Sequence, residues 1–277
     1  MLPGDHKEMV KIYEFKLKKK DHFPGSISII IPTPSVNSKN FKKCLSHLYN
    51  SNLPEYTEVF AVVSSGSDFN LSRSVNIGMT AAPEDRDVIL LNDDCFVEAD
   101  TIQNLMETKR TDDGILGCVL RLPDGRPQHL GGFAIVSILQ YLKWGLKAKA
   151  PFYVLRQLNF LSKNGLHLFE PYHRITTPAT TPLYVTGALV LIPRTTIQTI
   201  GVFDENFKNG YEDLDYCISV WNANLKVRLV ENSSAVHKNH DSLGPNRENI
   251  VTNLRYLQEK WGYDYLKKIS TDHREPR

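Results

Sequence analysis

The chain has 277 residues, of which 41% are hydrophobic and 23% charged. That is ordinary globular composition, enough for one large α/β domain or two small ones. The formal net charge of +2 does not point to nucleic acid. No apolar run approaches the roughly 20 residues that span a bilayer, and Met1–Lys7 offers no signal-peptide core.

A soluble, cytoplasmic protein is therefore expected. Cys44, Cys95, Cys118 and Cys217 are scattered, with no Cys-x-x-Cys pair, and read as reduced, packed thiols.

Residues 1–25 read as a polar N-terminal extension ending in Pro24-Gly25. Its basic run Lys16–Lys20 suits a solvated lead-in or a contact with an anionic surface. Ser26–Ile31 is a β-branched strand stopped by Pro32-Thr33-Pro34. Phe41, Cys44, Leu45 and Leu48 recur at helical spacing, and Val59–Val63 is the next strand. Leu71, Val75, Gly78-Met79 and Ala82 mark a helix face, with Asn70 as N-cap.

The next stretch, Val88-Ile89-Leu90-Leu91-Asn92-Asp93-Asp94, is an apolar run ending in an amide and two carboxylates. An uninterrupted run of this kind suits a strand buried on both faces, and adjacent Asp residues stop it. Ligands of open α/β sheets bind beyond the carboxyl ends of strands. Two neighbouring carboxylates there invite a divalent cation, although Asn-Asp-Asp also suits a plain turn. Asp100 is placed to cap a helix carrying Ile102, Leu105 and Met106, and Ile115–Leu120 is a further strand.

The alternation over the first 120 residues predicts a mostly parallel sheet flanked by helices. Right-handed crossovers put the Pro32, Ser64 and Asp93 ends on one edge.

Pro123-Asp124-Gly125-Arg126 is a turn signal. Phe133–Phe160 is apolar and aromatic with interspersed Lys and Arg. It suits an amphipathic helical insertion that packs on the protein, covers the cleft or meets a membrane surface peripherally. Tyr184–Ile192 reads as a buried strand broken by Gly187, and glycine there marks close approach of a ligand or backbone. Leu214, Cys217, Ile218 and Trp221 place a helix from about Glu212. Glu212 and Asp213 fall in its first turn, which the helix dipole by itself explains. Lys226–Val230 and Ser234–Val236 read as short strands, and Ile250, Leu254, Leu257 and Trp261 as a closing helix. Residues after Lys267 are expected to fray.

Taken in order, these motifs resemble family 2 glycosyltransferases of the GT-A fold, with a rhamnosyltransferase-like segment at Pro123–His129 followed by Gly131-Gly132. The resemblance runs from about Ser26 to Trp261. It implies a Rossmann-like α/β domain over 26–244, with a nucleotide-binding half (26–120), a smaller acceptor and catalytic half (121–244), and a C-terminal helix and tail (245–277).

It further implies an inverting, metal-assisted transfer from a nucleoside-diphosphate sugar to a hydroxyl of a glycan or glycoconjugate. Asp94 and His237 would hold Mn²⁺ or Mg²⁺, with His240 an alternative to His237. Asp213 would be the general base, with Glu212 supporting it or binding the acceptor. Pro32, Thr33, Ser65, Arg73, Asn76, Asn92, Asp93, Thr186, Gly187 and Ala188 would line the donor. The family's base-reading acidic residue is replaced by Ser64-Ser65, with Asp68 nearby as a shifted substitute. The alternatives are a nucleotidyltransferase, although no Gly-rich basic loop follows the first strand, and an inactive nucleotide-sugar-binding protein.

Overall fold

The computed structural model describes residues 10–17, 22–64, 69–147, 149, 151–238 and 247–273. Ser65, Asp68, His240 and Lys18–Lys20 lie outside them. In chain order the elements are β1 (Lys11–Leu17), β2 (Phe23–Thr33), α1 (Lys39–Asn50), β3 (Pro54–Val63), α2 (Leu71–Ala81), β4 (Asp87–Leu91) and β5 (Cys95–Val97). Then come α3 (Thr101–Thr108), β6 (Asp113–Arg121), β7 (Pro127–His129), β8 (Gly132–Ile135), α4 (Ile138–Lys147), α5 (Pro151–Lys163) and β9 (Glu170–His173). The chain continues through β10 (Leu189–Ile192), α6 (Arg194–Ile200), α7 (Glu212–Asn222), β11 (Lys226–His237), α8 (Arg247–Trp261) and α9 (Tyr263–Asp272).

The apolar strand runs are continuous because the central sheet is covered on both faces. Successive residues alternate between two cores. Ile29, Ile31, Ile89 and Leu91 pack with Phe41, Cys44 and Leu48 of α1. Ile30, Val88 and Leu90 pack with Val75 and Met79 of α2. The α2 helix lies so close to the sheet that a Cβ on Gly78 would stand 2.5 Å from Ile30 Cγ2. Asn70 caps this helix as expected, its Oδ1 accepting the Arg73 N–H at 2.9 Å. Asp100 precedes α3 but makes no capping hydrogen bond. Its carboxylate accepts instead from Asn52 Nδ2 at 2.7 Å.

The main sheet runs β1-β3-β2-β4-β10-β6-β11-β5, with β7 paired to β6. Strand β2 is parallel to both β3 and β4, so the Thr33, Ser64 and Asp93 ends share one edge. The class is α/β as expected, but the sheet is mixed rather than mostly parallel. Strand β10 enters between β4 and β6 and is antiparallel to both. It starts from the carboxyl edge, and so it must run backwards. Only Leu189–Ile192 is strand, and Gly187-Ala188 is the turn that feeds it.

Lys11–Leu17, expected as an extension, pairs antiparallel with β3 at the sheet edge. The two short strands expected after residue 226 form one strand, β11, with a register irregularity between Val230 and Ser234. Helix α9 runs to Asp272, beyond the expected fraying point, because Leu266 and Ile269 are buried.

Strand β11 is fastened to β6 and α3 by a buried ion pair. Arg228 Nε lies 2.9 Å from Asp113 Oδ1, and Arg228 Nη2 donates to Thr108 O at 2.5 Å. Removing one partner leaves an uncompensated buried charge. Arg228→Ala is therefore expected to lower unfolding free energy by about 3–5 kcal/mol in urea titration; a loss below about 1 kcal/mol would refute this anchoring.

Strands β8 and β9 form a small separate antiparallel sheet from which α4 and α5 project. Burial pushes the Glu170 carboxyl on β9 up from 4.5 to about 7, against a hydrogen bond from Gln157. The folded state thus holds this proton more tightly than the unfolded chain. The resulting stabilisation is full below about pH 4.5 and is lost as pH rises through about 7. Glu170→Gln is expected to flatten part of that slope and to raise stability by roughly 2–3 kcal/mol near pH 8. Denaturant midpoints at several pH values test this, and an unchanged slope in the variant would count against it.

Candidate functional site

The carboxyl end of β4 turns sharply. Asn92 N–H donates to Ala188 O at 2.9 Å, and Cys95 N–H closes a turn on Asn92 O at 3.0 Å. The turn sets Asp93 and Asp94 side by side, each only 8% exposed. Thr33 Oγ1, from the neighbouring strand end, donates to Asp93 Oδ2 at 2.7 Å. Burial raises the Asp93 pKa; Thr33 opposes this, the Asp94 charge adds to it, and Lys238 opposes it.

The antiparallel pairing of β11 with β5 sets His237 opposite Cys95. That register brings His237 Nε2 to 3.2 Å from Asp94 Oδ1. On its other side, His237 Nδ1 lies 3.1 Å from Gln128 Oε1. When Gln128 Oε1 accepts from Nδ1–H of a neutral ring, Nε2 is left with its lone pair on the Asp94 side. Two electron-pair donors held face to face by an outer hydrogen bond fit a divalent cation. Among the described residues no group of three or more His, Cys, Asp or Glu forms a metal cage. Asp94 and His237 would supply two ligands to such a cation, and phosphate oxygens and water the others.

The second half of the site is the start of α7. Asn209, Gly210 and Tyr211 all adopt positive φ, at 51°, 144° and 72°. For Asn209 and Tyr211 this is a sparsely populated conformation that costs roughly 1 kcal/mol or more each. It throws the first turn of α7 toward the β10 approach. Asp213 Oδ2 accepts the Gly187 N–H at 3.1 Å, and Oδ1 accepts the Leu214 N–H at 2.8 Å. Gly187-Ala188 thus links two carboxylate groups: Ala188 O binds the acidic turn and Gly187 N–H binds Asp213. Glu212 is turned back, accepting the Gly210 N–H at 2.5 Å. Burial first, then the Asp213 charge, pushes its carboxyl up to about 7.

His173 bridges the halves. Burial lowers its pKa, with Asp213 pulling upward and His237 downward. Its Nδ1 is 2.6 Å from Nδ1 of the buried His129. Burial, then the charges of His173 and His237, holds His129 well below the ordinary histidine range. Nothing in the sequence marks His173. It reaches the cleft because β9 pairs with β8, setting it opposite Gly132.

The expected donor side is only partly assembled. Pro32 and Thr33 end β2 beside the acidic turn, and Thr186 lies immediately before Gly187. Asn76 faces elsewhere. Its amide donates to Phe203 O at 2.8 Å and Glu205 Oε1 at 3.0 Å, and its oxygen accepts the Phe203 N–H at 2.9 Å. Arg73 Nε lies 3.4 Å from Glu205 Oε2. Both side chains brace the segment before α7 instead of meeting the acidic turn. Ser65 and His240 lie outside the described residues.

Besides His173, two further residues carry no clear mark in the sequence. Lys238 lies beside the acidic turn, its N–H donating to Asp94 O at 3.1 Å and its Nζ to Asn40 at 2.8 Å. Its only signal was adjacency to His237. Asp215 receives Trp261 Nε1 at 2.7 Å and Lys260 Nζ at 2.8 Å, fastening α7 to α8.

No protein-family model and no curated protein matches the chain. Solved structures do. GalNAc-T7 with UDP, GalNAc and Mn²⁺ superposes with a TM-score of 0.53 at 15% identity, over 90% of this chain and 55% of that one. The chain thus spans about half of that protein. Staphylococcus aureus TarS 1–349 gives 0.53 at 12% identity, over 90% and 70% of the two chains. The mannosyltransferase PcManGT from Pyrobaculum calidifontis, in complex with GDP-Man and Mn²⁺, gives 0.50 at 11%, over 91% and 74%. The fold is that of the GT-A glycosyltransferases.

Proposed function

We propose that this chain is a metal-assisted, inverting glycosyltransferase of the family 2 type, moving a sugar from a nucleoside-diphosphate sugar to a hydroxyl of a glycan or glycoconjugate. The observation that carries this reading is the hydrogen-bonded run from Asn92 through Ala188 and Gly187 to Asp213. It couples the acidic turn, where a diphosphate would lie, to a carboxylate suited to a general base. The neighbouring structures with UDP or GDP-Man and Mn²⁺ support the substrate class.

In this reading Asp94 and His237 hold Mn²⁺ or Mg²⁺, and Gln128 fixes the His237 tautomer. A divalent cation held there would neutralise the charge that develops on the departing diphosphate. Thr33 holds Asp93, and Lys238 adds a positive charge at the same place. Pro32, Thr33 and Asn92 line the nucleotide side, with Thr186, Gly187 and Ala188 along the sugar. Asp213 takes the proton of the acceptor hydroxyl as that oxygen bonds to the anomeric carbon. The bond from the anomeric carbon to the diphosphate breaks on the opposite face, inverting the centre. Glu212, held near neutral pKa, supports Asp213 from behind. Residues 26–120 then form the nucleotide half and 121–244 the acceptor half.

Incubating the protein with UDP-, GDP- and dTDP-sugars, with and without Mn²⁺, tests the assignment. The expected result is metal-dependent release of nucleoside diphosphate from one nucleotide class. Release of pyrophosphate would indicate nucleotidyl transfer instead, and binding without any turnover would indicate a sensor.

A further inference from the structure

Among the described residues, the α4–α5 hairpin carries six of the twelve exposed large apolar side chains, and the proposed chemistry does not use them. One face is inward: Tyr141, Val154 and Leu161 are buried in the main core. The other face is exposed and equally apolar. Ile138, Leu139, Leu142 and Leu146 follow one stripe of α4, with Leu146 at 69% exposure. Phe152 and Leu155 continue it on α5, with Phe152 at 85%. Exposed apolar residues scattered singly need no explanation, but a contiguous set on two adjacent helices does. Ile138 and Leu139 also line a cavity of about 560 Å³ shared with Leu158, Leu166 and Tyr263, so the apolar surface continues inward.

The charge within this segment of the chain is one-sided. Residues 125–169 contain six Lys or Arg and not one Asp or Glu. This segment is more positive than the whole chain, whose net charge is +2, so the remainder is net acidic. Lys143, Lys149 and Arg156 are exposed on or between the same two helices. None of the described helices is long and apolar enough to cross a membrane. Apolar side chains flanked by basic groups, on helices too short to span, suit a surface that lies in the headgroup layer.

We infer that the α4–α5 hairpin docks the protein on an anionic lipid bilayer. Leu142, Leu146, Phe152 and Leu155 enter the boundary between headgroups and acyl chains, while Lys143, Lys149 and Arg156 meet lipid phosphates. A second copy of this chain is the poorer occupant, because it would bring the same uncompensated positive charge against itself. The inference goes beyond the proposed glycosyl transfer and stands or falls independently of it.

The test is sedimentation of the 277-residue chain with vesicles, in the absence of nucleotide. One set is phosphatidylcholine alone, and the other includes about one third phosphatidylglycerol. Binding is expected to the anionic vesicles, weakening as salt screens the charges. The double variant Leu146→Glu/Phe152→Glu should fall to the level seen without vesicles. Lys143→Glu/Arg156→Glu should bind at least about tenfold more weakly, since each basic group near an anionic surface is worth about fivefold. All four side chains are exposed, so the variants should fold; matching circular dichroism and melting curves check this. Absence of sedimentation by the parent protein overturns the inference. So does equal binding to both vesicle types, or binding unchanged in the variants. A dimer in size-exclusion chromatography that dissociates with the Leu146/Phe152 variant would assign the surface to a second copy and also overturn it. Nucleoside diphosphate release in free solution, measured separately, reports on the catalytic reading alone.

Discussion

Asp213→Asn should lower sugar transfer by about 10²- to 10⁴-fold, the usual contribution of a positioned general base, while nucleotide-sugar affinity stays within about threefold of the parent. The substitution keeps one acceptor oxygen, which can hold Gly187 N–H and so preserve the link to the acidic motif, while the amide nitrogen that replaces Oδ1 gives up the bond from Leu214 N–H. What disappears is the capacity to take up a proton. Initial rates at saturating donor and acceptor, paired with calorimetric donor binding, separate the two effects. Turnover within tenfold of the parent would remove Asp213 from the role of base. A parallel loss of donor binding would instead mark it as a support for the 186–188 turn.

Asp94→Ala should weaken Mn²⁺-dependent donor binding by more than about 100-fold. Loss of an outer partner of a metal ligand already costs 10- to 100-fold, and Asp94, 3.2 Å from His237 Nε2, is proposed as an inner ligand. Removing Asp94 also relieves the charge that helps raise the Asp93 carboxyl, whose first cause is burial. Asp93 remains tied to Thr33 Oγ1 through its Oδ2. Titrating a sugar nucleotide into parent and variant, each with and without Mn²⁺, reads the effect. Equal affinities in all four experiments would show that the metal does not sit at this turn.

The two variants interrogate opposite ends of one hydrogen-bonded path. Loss of both functions with intact folding would support a shared cleft. A defect at only one end would separate the cation from the base. Arg73 and Asn76 are poor choices for the same purpose, since their contacts with Phe203 and Glu205 make any activity loss a report on the segment before α7.

Much of the scaffold could be read from local pattern. The run Val88–Leu91 is a strand buried on both faces and ends where Asn92 begins, because aspartates and an amide cannot continue an apolar ladder. Phe41, Cys44 and Leu48, and Val75 with Met79, face the cores at the spacing that marks them as helical. The Asn70 cap and the acidic first turn of α7 follow equally short-range rules. Such features depend on neighbours within four residues, so a single sequence states them.

Tertiary structure alone decided who meets whom. His237 faces Asp94 only because β11 shifts register between Val230 and Ser234 and then pairs with β5 at Cys95. A slip of one residue there would turn the imidazole to the opposite face of the sheet. The antiparallel entry of β10, the meeting of His173 with His129, and the diversion of Asn76 to the Phe203 backbone likewise join residues 44 to more than 100 positions apart. Periodicity fixes which face a side chain occupies; register and strand order fix the partner on that face, and they are set by the packing of the whole sheet.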